Sequence, residues 1–190
     1  MIALLDFTGS FNNTSREFTE QLDNIVDRAV LHNAPLTVLA FRGSVAGVTS
    51  LLVCPSTTPK ANNDSVAKKR RPAVAASLRA ALRELASHPD ANGTNDPKGP
   101  GTDIAGAWQA VSQRTPLATR RIGIMLTDGV QTVKAHPVRL TGIEASMYDV
   151  GRGRGVADTG KANELVEIWK KFLTASGVVN PVVVSEVYAG

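Results

Sequence analysis

Cysteine is nearly absent from this 190-residue chain. Cys54 stands alone, which excludes an internal disulfide framework and any cysteine-built zinc site. It follows the apolar run TSLLVCP and reads as a small buried hydrophobe, compatible with a reducing compartment. Aromatic residues make up only 5% of the chain. Proteins that track nucleic acid commonly interleave aromatics with cations, and none lies beside the one dense basic run, Lys68, Lys69, Arg70 and Arg71. That run is expected to be a solvated helix face. The three histidines, His32, His88 and His136, are not spaced as a metal motif and none adjoins a candidate serine nucleophile.

Long apolar runs are missing too. None approaches the roughly 20 residues of a membrane span, so no membrane insertion is expected. Asp6 interrupts the first apolar stretch before it resembles a cleavable leader, and a cytoplasmic protein is the expectation. No G-x-x-x-x-G-K-[ST] segment is present, which excludes a nucleoside triphosphatase of that kind. GRGRG, residues 151–155, does not fit G-x-G-x-x-G.

What remains is ordinary in composition: 43% hydrophobic, 20% charged and a formal net charge of +4. The length suits one domain, residues 1–190, with a sizeable core. Strand and helix patterns alternate along it. IALLDF is a continuous apolar run ending in an acid, as in a strand buried on both faces. The next segment, to His32, carries an apolar stripe of Phe18, Leu22, Ile25, Val26, Ala29 and Val30 at helical spacing. Thr14 and Glu17 there match a capping box.

PLTVLAFRG and TSLLVCP are two strands too closely joined for a crossover helix, so an antiparallel hairpin is expected. A second helix is read over RPAVAASLRAALRELASH, with Pro72 in its first turn. Residues 89–101 form a polar loop, and Thr102 opens a third helical segment containing Trp108. RRIGIMLTDG is another central-type strand ending in an acid, Asp128. TGIEASMYDVG is a further strand, GKANELVEIWKKFLTASG is an amphipathic helix stopped by Gly177, and PVVVSEV is the last strand. Trp108 and Trp169 are expected in the core. The alternation predicts an α/β, doubly wound, mostly parallel six-stranded sheet with one antiparallel edge strand and helices on both faces.

In such sheets functional residues gather beyond the carboxyl ends of the strands, where Asp6 and Asp128 both fall. DFTGS (Asp6, Thr8, Ser10), GTDIAGA (Thr102) and LTDG (Asp128) together resemble the von Willebrand factor A-type (vWA) domain with its metal-ion-dependent adhesion site. That family's pattern is D-x-S-x-S after the first strand, a threonine in a later loop and an aspartate after the fourth strand. The resemblance covers nearly the whole chain. One departure is Thr8, which keeps the serine hydroxyl and adds a methyl group.

The resemblance implies a metal site of Asp6, Thr8, Ser10, Thr102 and Asp128. The hydroxyls would bind directly and the aspartates through water. An all-oxygen donor set independently suits a hard cation, Mg²⁺ first and Mn²⁺ or Ca²⁺ as alternatives. The resemblance further implies a protein–protein interaction module in which an Asp or Glu of a partner fills the open metal position. Arg152 and Arg154, in the glycine-flanked segment after the penultimate strand, are candidates to receive that acidic partner.

Each residue also has a plainer role. The acids can close turns at strand ends, and Ser10 and Thr102 can cap helices. Two other functions stand as alternatives: a nucleic-acid-associated module using residues 68–71, and a metal-dependent hydrolase resembling haloacid dehalogenase-type phosphatases. The second lacks the D-x-D acid, replaced by Thr8, and no catalytic constellation is evident. The chain is therefore read as non-enzymatic.

Overall fold

A computed structural model describes residues 1–8, 15–42, 44–87, 101–114, 120–153 and 159–190. Six strands and four helices follow in the order β1 (Ile2–Asp6), α1 (Arg16–Leu31), β2 (Leu36–Arg42), β3 (Ser44–Cys54), α2 (Asp64–Ser87), α3 (Ile104–Arg114), β4 (Arg121–Leu126), β5 (Ile143–Tyr148), α4 (Thr159–Ala175) and β6 (Val182–Val183). One sheet contains all six strands, in the order β3-β2-β1-β4-β5-β6. Only the β2–β3 pairing is antiparallel. The expected fold class and its hairpin are therefore present.

β1 is central because it is apolar on both faces, with all five residues buried. Its even and odd side chains enter two different cores. Ile2 and Leu4 join α3 and α4 on one face, while Ala3 and Leu5 join α1 and α2 on the other. Trp108 and Trp169 anchor the first of these cores, as expected. Gly123 in β4 leaves room for Trp108: a Cβ there would lie 2.7 Å from its Cζ3 atom.

Three local expectations need correction. Thr14 lies outside the described residues, and the cap of α1 is Ser15, whose Oγ accepts from Phe18 N–H at 3.0 Å. An extended residue directly before the first helical one aims its side chain at the third N–H, and Ser15 holds that place. α2 starts eight residues before Pro72, with Asn63 Oδ1 accepting from Val66 N–H at 2.9 Å. Pro72 thus sits inside the helix. It withholds only the bond to the carbonyl of Lys68, and both residues are exposed to water. Cys54 is half-buried rather than buried, its thiol directed to the Ser56 carbonyl at 3.1 Å. Residues 89–100 of the expected polar loop, and His88 before it, lie outside the described residues.

Candidate metal centre

Leu5 of β1 pairs with Leu126 of β4. The next residues of the two neighbouring strands carry the chain to Asp6, and to Thr127 and Asp128. This is where strand order reverses: β2 and β3 lie to one side of β1, and β4 to β6 lie to the other. A crevice opens at such a point because the connections leave in opposite directions.

Asp6, Thr127 and Asp128 have no solvent exposure. Asp6 Oδ1 accepts from Thr8 N–H at 2.8 Å and from Thr8 Oγ1 at 2.6 Å. Its Oδ2 accepts from Thr127 Oγ1 at 2.6 Å. These three donors favour the ionised form, yet the Asp6 carboxyl is pushed up to about 7. Burial is the main cause and the negative charge of Asp128 the second; removing a carboxylate from water outweighs the donors.

Asp128 Oδ1 accepts from Val130 N–H at 2.9 Å, whereas its Oδ2 is buried with no hydrogen-bond partner. A buried carboxylate oxygen without a donor is costly. An orphaned oxygen on an acid whose charge reaches a second buried acid makes this a candidate place for a cation. Among the described residues no three His, Cys, Asp or Glu side chains converge, so any cation here would depend on hydroxyl oxygens beside two carboxylates.

Thr102 reaches this edge through the start of α3. Its N–H donates to Thr132 Oγ1 at 2.6 Å, and its carbonyl accepts from Thr132 N–H at 3.1 Å. Gln131 Oε1 accepts from Ala105 N–H at 3.0 Å. The loop after Asp128 is thereby stapled to the N-terminus of α3. Thr102 itself is not the helix cap: Asp103 Oδ1 accepts from Gly106 N–H at 2.8 Å. Gly101 has a φ of +99°, and a Cβ there would strike Thr132 Oγ1, so glycine permits this close approach.

Asp6, Thr8, Thr102 and Asp128 are described on or next to this edge; Ser10 lies outside the described residues. Sequence reading missed Thr127, the residue that bonds the second oxygen of Asp6. Its signal was its place between a buried strand and an acid, where a hydroxyl must find a partner.

The arginine segment is described only as far as Gly153, so Arg154 lies outside it. Gly151 N–H donates to the Asp128 carbonyl at 2.8 Å, which puts Arg152 on the same side of the sheet. Its guanidinium donates to Glu17 Oε2 of α1 at 3.0 Å. Asp149, also missed, makes this corner. It has a φ of +64° and accepts from Gln21 Nε2 at 2.8 Å. Burial raises its carboxyl from the ordinary range.

No protein-family model and no curated protein sequence matches the chain. Solved structures do. Proximal thread matrix protein 1 from the mussel byssus is 13% identical with a TM-score of 0.50, over 98% of this chain and 43% of that one. BatB from Bacteroides thetaiotaomicron is 16% identical with a TM-score of 0.48, over 97% and 89%. An aerotolerance-related membrane protein from Bacteroides fragilis is 14% identical with a TM-score of 0.48, over 99% and 92%. At these identities the likeness is one of fold alone.

The fold is vWA-like. That statement rests on the sheet itself: strand order, one antiparallel edge strand and four helices. Within the vWA-like frame, Asp6 and Asp128 stand at the ends of the two strands that flank the switch point. No helix among the described residues is long and apolar enough to cross a membrane.

Proposed function

We propose that this edge holds a divalent cation and that the cation receives an acidic side chain of a protein partner. One observation carries the reading. Two fully buried acids sit close enough for the charge of one to raise the other, and one oxygen of Asp128 has no donor. A divalent ion would neutralise the pair without needing a histidine or a thiolate, and oxygen donors suit Mg²⁺ before softer metals.

Thr8, Ser10 and Thr102 would supply hydroxyl oxygens, with Asp6 and Asp128 balancing charge directly or through water. Thr8 already donates its hydroxyl proton to Asp6. Its methyl group is the one feature that departs from the family pattern. When bound, the metal would supply an electrophilic position for a carboxylate. Arg152 would contribute to the rim only by exchanging Glu17 for the partner's acid.

The experiment is thermal unfolding of the metal-free protein titrated with Mg²⁺, Mn²⁺ and Ca²⁺, beside Asp6→Ala. Binding to the native state alone raises stability by about 2.7 kcal/mol at a hundredfold excess over Kd. A cation-dependent rise that disappears in Asp6→Ala supports the site. No rise at millimolar cation removes it. The partner arm is capture of an Asp- or Glu-bearing protein that is lost in EDTA and regained with Mg²⁺.

A further inference from the structure

Away from this edge, α1 and α2 run antiparallel and are joined by a ladder of ion pairs. Asp23 accepts from Arg83 at 3.0 Å, and Asp27, one helical turn further along α1, accepts from Arg79. The next α1 position at this spacing is Leu31, which is 64% exposed. The ladder runs out of acids there, but α2 continues to supply cations. Lys68 and Arg71 follow towards its N-terminus, and Arg28 rises from α1.

An open cleft of ≈ 760 Å³ occupies this place, with Leu31, Pro72 and Ala75 along its apolar side and Arg28, Lys68 and Arg71 among its cations. Among the described residues its one acidic side chain, Asp27, is already held by Arg79. The Arg71 Nε atom is buried and has no hydrogen-bond partner; the side chain reaches only Asn33 Oδ1, at a long 3.3 Å. Arg28 donates to a neutral group, the Tyr188 hydroxyl, at 3.1 Å. A desolvated guanidinium N–H without an acceptor costs roughly 1–3 kcal/mol, and the Arg71 side chain that carries it lines the cleft.

We propose that this cleft binds a small organic phosphate, its phosphoryl group on Arg71 and Lys68 and its apolar body against Leu31, Pro72 and Ala75. Guanidinium and ammonium groups both take phosphate oxygens, the former with a planar fork and the latter as a point charge. The cleft lies within the volume usual for small-molecule sites, about 300–1,000 Å³, which are apolar with a few convergent polar groups. The dense basic run is split by the helix. Lys68 and Arg71 face the cleft, while Arg70 turns to the Lys60 carbonyl. A single-stranded nucleic-acid track would instead need successive stacking rings, and among the described residues no Phe, Tyr or Trp lines the cleft.

The site lies near the opposite end of the sheet from the acids. Its groove takes in His32, just past the C-terminal end of α1. It is therefore independent of the proposed cation, and the test is made in EDTA.

The intact chain is titrated calorimetrically with adenosine monophosphate and with a short-chain phosphatidic acid below its micelle concentration, which separate a nucleotide from a lipid source. Inorganic phosphate and a single-stranded 20-mer DNA serve as comparison ligands. The expected result is saturable 1:1 binding of one organic phosphate, tighter than inorganic phosphate. Lys68→Ala/Arg71→Ala should weaken it at least tenfold while leaving the thermal midpoint near wild type. Leu31→Glu, which adds the absent acid, should abolish binding and retain the fold.

Absence of saturable binding by either organic phosphate at millimolar concentration overturns the proposal. So does binding that both variants retain. Binding of the 20-mer alone, falling steeply with salt, overturns it in favour of a nucleic-acid surface.

Discussion

Thr127 Oγ1 donates to Asp6 Oδ2 across 2.6 Å while accepting from Gly129 N–H at 3.1 Å. One hydroxyl from the end of β4 thus fixes the acid at the end of β1 and begins the turn that carries Asp128. The two halves of the candidate metal centre are coupled through this side chain.

Thr127→Val keeps the shape and removes the donor. It should destabilise the protein by about 1–3 kcal/mol, the cost of stranding a buried acceptor, and push the Asp6 carboxyl higher still. Thr127→Ser should recover most of the loss. Urea unfolding of the three proteins, with an equal m-value, decides this; a neutral Thr127→Val would sever the proposed link.

Metal-free protein should lose stability as pH rises from about 4 to 7. The Asp6 carboxyl is near 3.8 in the ordinary state and about 7 when folded, so in that window the folded chain binds more protons than the unfolded one. Stability from this group is then greatest below the unfolded value and falls by up to about 1.4 kcal/mol per pH unit. Subtracting the curve of Asp6→Asn isolates the effect. Saturating Mg²⁺ should flatten the difference, because a bound cation replaces the proton.

Gly129 has a φ of +76°, and a Cβ there would come within 2.9 Å of Val150 Cγ1. Its carbonyl accepts from Trp169 Nε1 at 2.8 Å. Gly129→Ala should therefore cost about 2 kcal/mol or more, from left-handed backbone strain and overpacking together. Trp169→Phe should cost about 1–3 kcal/mol through the stranded carbonyl. Chemical denaturation measures both. An unchanged Gly129→Ala would mean that the turn beside Asp128 is less constrained than its packing requires.

The Arg152–Glu17 pair is about half exposed on each side, 43% and 59%. A double-mutant cycle should give a coupling of only about 0.2–1 kcal/mol, smaller in high salt. That weakness is what would let a partner's acid displace Glu17. A coupling above about 2 kcal/mol would make Arg152 a structural latch and remove it from the proposed rim.

Much of this architecture is legible in the residues themselves. Ile2–Asp6 is buried throughout and Arg121–Leu126 is buried from Gly123 onward, and continuous burial leaves a parallel central strand as the consistent reading. Phe18, Leu22, Ile25, Val26, Ala29 and Val30 all reach the core, because one stripe at helical spacing meets one sheet face. The start of α2 was not legible: its first turns, DSVAKKRR, carry only Val66 and Ala67 as apolar residues and show no stripe to count. Pro72 then suggested a beginning where there is only an exposed interior position.

The sequence by itself determined which oxygens are available at the strand ends, and that Asp6 and Asp128 follow buried strands. It determined a hairpin too, since no crossover helix fits between β2 and β3. Only the tertiary structure decided that Thr127, and not a neighbouring donor, holds Asp6. Only it brought Gln21 to Asp149, Glu17 to Arg152, and Leu31 into one cleft with Lys68 and Arg71. These contacts join residues up to 135 positions apart in the sequence. Chain periodicity records which face a residue takes; partners arise from which elements the sheet sets side by side, and local pattern carries no such information.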